Sequence, residues 1–287
     1  MKKLASVYKS RPAHWVGDGF PVRSMISPSD LPEENSPFLL LDYAEPYEFA
    51  PSDTARGVGE HPHRGFETVT IAYQGEIDHR DSGGNAGSIG PGDVQWMTAA
   101  SGVVHEEKHG AAFTKAGGTF EMIQLWVNLP AANKMDAPRY QELSSETIPV
   151  VELLDGAGSL RVIAGEALGN KGPAMTFTPI NLYDVTLKPS GRITLDLPDN
   201  STTLLLVLSG HVRINEGESA NQGDLARFER EGTSVSLDAI EGAKLLLLNG
   251  EPIDEPVAAH GPFVMNTREE ISEAILDYQK GKMGRLN

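Results

Sequence analysis

The chain has 287 residues, 39% of them hydrophobic and 22% charged, which is apolar material for one large core or two ordinary ones; two domains are expected. A formal charge of −16, with Lys and Arg scattered along the chain, excludes direct binding to nucleic acid, which needs a basic patch. The lack of cysteine excludes disulfide staples, thiolate nucleophiles and zinc-finger ligation, so any redox behaviour rests on a bound cofactor.

At the N-terminus only five uncharged residues, LASVY, separate the first lysines from Lys9, too few for the apolar core of a signal peptide. No run of roughly 18 apolar residues follows, so no membrane span is expected and the location is read as cytoplasmic. The first segment with chemistry is GVGEHPHRGFETVTI, residues 57 to 71. In a strand, residues i and i+2 share a face, so His61 and His63 can grip one metal ion. The segment continues as FETVTIAYQG, rich in β-branched and aromatic residues, and then into the turn-rich GEIDHRDSGGNAGSIGPGD.

Residues 101 to 110, SGVVHEEKHG, carry a second same-face pair, His105 and Glu107, with Glu106 pointing the other way. If the two segments are neighbours, His61, His63, His105 and Glu107 converge. Three neutral nitrogens and a carboxylate leave one or two positions open, a set suited to a first-row divalent metal. Glu67, four residues after His63 and of the same strand parity, is the competing carboxylate. It is either the fourth ligand or an acceptor that fixes an imidazole tautomer, and the pattern leaves both open. His211 and His260 are isolated and are assigned no chemistry.

EMIQLWVNL alternates Ile123, Leu125, Val127 and Leu129 on a core face with Met122, Gln124, Trp126 and Asn128 on the other. Phe66, Trp96, Met122, Gln124 and Trp126 are the candidates to contact a flat aromatic ligand. The polar, proline-flanked residues 130 to 149 read as a connector. NLYDVTLKPSGRITLDLP, TTLLLVLSGHVRI and AKLLLLNG then repeat the β character, with a Gly-Asp turn at Asp224 that matches the one at Asp93. In TREEISEAILDYQKGKMG, Thr267 and Glu270 have capping-box spacing, Ile271, Ile275 and Tyr278 form an apolar face, and Gly281 is a stop. The chain is therefore all-β with one C-terminal helix.

The H-x-H, the glutamate four residues on, Gly75 after the strand and the G-x-x-H from Gly102 to His105 resemble the two cupin motifs, with Ala100 where cupins usually carry proline. SPFLLLDY, HPHRGFETVT, GDVQWMTAASGVVHEE and QLWVNLP with KMDAPRYQEL resemble the pirin family more specifically, mostly over residues 37 to 143. The DYQKGKMG ending is similar to bacterial members.

This resemblance implies a bicupin of two stacked antiparallel jelly-roll β-barrels. The first, residues 1–135, binds the metal; the second, residues 136–287, has no metal site and ends in the helix. His61, His63, His105 and Glu107 carry over as ligands of one divalent transition metal, Fe(II) first, with Ni, Mn, Co, Cu and Zn as alternatives. Glu67 then lies behind the ligands or is structural.

The implied activity is that of a quercetin 2,3-dioxygenase, which cleaves a small chelating aromatic with O2 and releases carbon monoxide, Glu107 moving from ligand to catalytic base. Other members of the family are regulators, so the alternative is a metal- and redox-dependent protein that binds a transcription factor or a metabolic enzyme.

Overall fold

The computed structural model describes residues 1–28 and 33–286. They form two compact units, each assembled from separate stretches of chain: 1–11, 33–37 and 146–252 in one, and 12–28, 38–145 and 253–286 in the other. A single boundary at 135/136 therefore does not describe the division. The first eleven residues join the later unit because Leu4–Tyr8 pairs antiparallel with Leu225–Phe228. Residues 130–149 are more than a connector, since Arg139–Leu143 adds to the edge of a sheet beside Val94–Thr98 and buries Gln141 and Leu143.

In the unit containing residues 146–252, nine antiparallel strands make one sheet. Thr202–Ile214 and Ser234–Gly250 are its long central pair. Arg192–Asp196 shows the alternation of a half-buried strand, with Ile193 and Leu195 inside and their neighbours in solvent. Its hydrophobic core is built around Leu160, Tyr183, Val185, Leu205, Val235 and Leu247.

The other unit holds two larger open antiparallel sheets and a small one in which Ala258–His260 pairs with Phe263–Met265. One has seven strands, in the order Arg139–Leu143, Val94–Thr98, Phe66–Gln74, Gly118–Asn128, Phe38–Phe49, Phe20–Ile26 and His14–Val16. The second has four, in the order Gly57–His63, Val103–His109, Ile77–Asp81 and Ala86–Ile89. Side chains directly opposite across a ladder share a face, so register fixes what the seven-stranded sheet presents. One row of partners runs Ser24, Asp42, Gln124, Thr70, Gln95 and Glu142 across six strands. The opposite face carries Leu41, Val69, Trp96 and Leu125, all fully buried.

The C-terminal helix, Arg268–Gln279, starts with the expected capping box: Thr267 accepts from the Glu270 N–H, and Glu270 accepts from the Thr267 N–H. Ile271 and Ala274 pack against Val104, Phe263, Met265 and Met283 of the same unit. Tyr278, expected on the apolar face, is 39% exposed, and Asp277 is buried instead, where it pairs with Arg64. Thr267→Ala should lower the denaturation free energy of the helix-bearing unit by about 1 kcal/mol while Thr267→Ser stays near wild type, as read by urea titration. Equal stability of all three proteins would show that the cap contributes nothing.

Candidate metal centre

The two histidine-bearing segments are adjacent antiparallel strands, with His61 directly opposite His105 and His63 opposite Val103. The ladder then shifts, so that Glu107 is paired with Val58. The extra residue of that bulge lies on the His61 strand, between Val58 and His61, so Glu107 is offset from His61 across the ladder while its own strand stays regular. His61, His63 and His105 each offer a ring nitrogen within 4.8 Å of the others. His61 Nε2 and His105 Nε2 are 2.8 Å apart, and the Nδ1 of His61 is 2.8 Å from the Gly59 carbonyl oxygen. With Nδ1–H donating to that carbonyl, the His61 Nε2 presents a lone pair to the cluster.

Burial, then the neighbouring His61, holds the His63 imidazole well below the usual histidine pKa, against the opposing pull of the Pro262 carbonyl. Burial, followed by His63 and His61, does the same for His105. Both rings are therefore neutral near pH 7, and among the described residues the buried Nδ1 of each has no hydrogen-bond partner of ordinary geometry. Three imidazoles gathered at one place fit a borderline first-row divalent cation.

Glu107 stands beside this cluster and outside its 4.8 Å circle. Thr70 Oγ1 lies 3.1 Å from its Oε1, and Gln124 Nε2 lies 3.1 Å from its Oε2. Burial raises its pKa, partly offset by His61, Thr70 and Gln124. A cavity of about 510 Å³ opens onto His61, His63 and Glu107. Its walls are mostly apolar, from Val16, Phe20, Val22, Leu40, Val58, Met122 and Trp126, with His14, Ser24, Asp42 and Gln124 as further polar points.

The pirin model matches residues 19–127, and the model of the pirin C-terminal cupin domain matches residues 182–284. The chain is 52% identical over its whole length, and the whole length of the relative, to a Pseudomonas aeruginosa protein named "Putative quercetin 2,3-dioxygenase PA2418". It is 40% identical to human pirin over 93% of this chain and 89% of that one. The crystal structure of a quercetin 2,3-dioxygenase from Acinetobacter baumannii matches with a TM-score of 0.97 at 50% identity, covering all of both chains.

Met122, Gln124 and Trp126 line the cavity as the alternation of their strand suggests. Phe66 lies behind it, fully buried, with its ring 4.3 Å from Trp126 and 5.2 Å from His63. Trp96 does not join them, because it pairs with Val69 on the opposite face of the sheet. Ala100, in the place of the usual cupin proline, has φ +41°, which a proline ring locked near −65° cannot adopt. Ser24, Asp42 and Thr70 were missed by sequence reasoning; Asp42 alone left a trace, as a carboxylate interrupting an apolar strand.

Glu67 stands away from the cluster. The strand breaks at Arg64 and Gly65, where φ is +90°, so parity counted from His63 does not carry through. Glu67 falls on the face opposite Thr70, with Thr98 Oγ1 donating to it at 2.7 Å and Arg139 3.9 Å away. Burial pushes its carboxyl up to about 7, partly offset by Thr98 and Arg139. Because the folded state keeps this proton longer, the stabilisation is full below about pH 4.5 and is lost as pH rises through about 7. Glu67→Gln should remove that loss, making the variant more stable than wild type at pH 8 by up to about 3 kcal/mol and by little at pH 4.5. Urea denaturation at both pH values checks this, and the same pH dependence in both proteins would contradict it.

Proposed function

The chain belongs to the pirin family, and on that footing we propose that it is a metal-dependent dioxygenase that cleaves flavonols or related chelating aromatics with O2. Fe(II) is the metal of this reading, with His61, His63, His105 and Glu107 as its ligand set. The observation that carries it is the convergence of three imidazoles, two of them buried and held neutral, at one end of a largely apolar cavity of about 510 Å³. The name of the Acinetobacter structure, at half identity over the whole chain, supports the same chemistry.

When bound, the metal supplies an open coordination position and acidifies an oxygen that enters it. The protein's own groups supply the rest. Glu107 takes the proton of a flavonol 3-hydroxyl presented beside the histidines, a transfer worth roughly 10²- to 10⁴-fold in rate. Gln124 and Thr70 hold its carboxylate on the cavity side, and a small displacement toward the imidazoles turns the same group into a ligand. Trp126 and Met122 offer flat and adaptable surface to an aromatic ring. The aliphatic walls exclude water, which strengthens each of these polar contacts.

The test is O2 uptake with quercetin by protein reloaded anaerobically with Fe(II), its metal content measured. His63→Ala should lose metal and uptake together. Glu107→Gln at matched metal content should fall by about 10²- to 10⁴-fold. Fully metallated wild type that consumes no O2 would overturn the dioxygenase reading and favour the metal-dependent regulator.

A further inference from the structure

The cavity has a second polar end. Ser24 and Asp42 lie in the same register row as Gln124, on successive strands. Neighbouring strands are about 4.8 Å apart, so Asp42 stands about 5 Å beyond Gln124 and Ser24 about 10 Å beyond it. Both line the cavity, as does His14. The Asp42 carboxylate is only 7% exposed, and the Ser24 hydroxyl donates to its Oδ1. A carboxylate has about four acceptor positions, so this bond leaves Asp42 with acceptor capacity facing the cavity.

Packing gives no reason for a carboxylate here. Its same-face neighbours along the strand are Leu40 and Ala44, and an apolar residue would continue that face without the cost of burying a charge. That cost is visible as a raised carboxyl pKa, caused first by burial and opposed by Ser24 and His14.

We propose that Asp42 is the second anchor of this cavity and selects aromatic ligands that carry a hydrogen-bond-donating hydroxyl at the end remote from the histidines. The inference rests on the reading of the cavity as an aromatic-binding site. It narrows the substrate class to planar molecules with chelating oxygens at one end and a phenolic hydroxyl at the other. A neutral hydroxyl fits better than an ammonium group, because it enters apolar walls at lower desolvation cost.

The test compares quercetin with 3-hydroxyflavone, which keeps the chelating oxygens and lacks the other hydroxyls. Zn(II)-loaded protein is used because zinc is redox-inert, so dissociation constants from tryptophan quenching are read without turnover. Wild type should bind quercetin about 10- to 100-fold more tightly, the range for one hydrogen bond to a charged acceptor. Asp42→Asn should weaken quercetin by that factor, leave 3-hydroxyflavone within about twofold, and melt no lower than wild type, since a buried charge has been removed. Asp42→Leu, which extends the apolar face, should reverse the preference.

Equal affinity of wild type for the two flavonols would overturn the proposal, and so would an equal loss of both in Asp42→Asn or no binding of either. The dioxygenase reading fails separately, on absent O2 uptake by the Fe(II) protein, and an Asp42-dependent preference in the zinc protein would survive that failure.

Discussion

The pairing of Gly57–His63 with Val103–His109 is the constraint on which the rest of the site depends. It sets His61 against His105, and a slip of one residue would turn the clustered side chains to the other face. At the start of the pair the backbones approach so closely that a Cβ on Gly57 would sit 2.2 Å from the Glu107 carbonyl oxygen. Only glycine fits there, and the Glu107 side chain beside it reaches Thr70 and Gln124 on the facing sheet. Two sheets thus divide the work: one presents the imidazoles and the other controls the carboxylate.

The second sheet does this with a polar row where an ordinary sandwich would be apolar. Thr70 is its junction, 2.8 Å from Gln124, 3.1 Å from Glu107 and 3.4 Å from Gln95. Beyond Gln95 the Tyr140 hydroxyl meets Nε2 of His79, whose pKa burial lowers to about 4, so the ring stays a neutral acceptor at physiological pH. Buried polar groups are tolerated when each finds a partner, and a connected row is how this sheet satisfies its members. In the other unit the comparable interior is a cluster of aliphatic and aromatic side chains, and among its described residues no histidine cluster has to be served.

The histidines were legible because a two-residue period is all that a strand needs to place two side chains together. The alternation that placed Met122, Gln124 and Trp126 on the cavity face worked for the same reason. The shared parity of Glu67 and His63 does not hold, because that period survives only while the strand continues, and Gly65 breaks it. Trp96 was misread because the size of an aromatic residue says nothing about its face; its partner Val69 decides that. Asp42 and Ser24 needed the register of three strands, one of which, Gly118–Asn128, lies far along the chain. The exchange of chain segments between units was equally hidden, since it rests on partners such as Leu4 and Phe228, more than 200 residues apart.

The return of the C-terminal segment to the histidine-bearing unit has a physical purpose that its helical pattern alone does not reveal. Arg64 follows His63 directly and is almost fully buried, so its charge needs a partner. Its Nε donates to the Ser101 carbonyl, and both terminal nitrogens reach one oxygen of Asp277, whose other oxygen holds Lys282. The Arg64 backbone bonds Pro262 and Val264 on either side. Side chain and backbone therefore fix the end of the His63 strand to the last stretch of chain, and through Ser101 to the turn that leads into His105. A flexible strand end would leave His63 free to leave the cluster. Anchoring it from a distant segment makes the geometry of the histidine cluster a property of the whole unit.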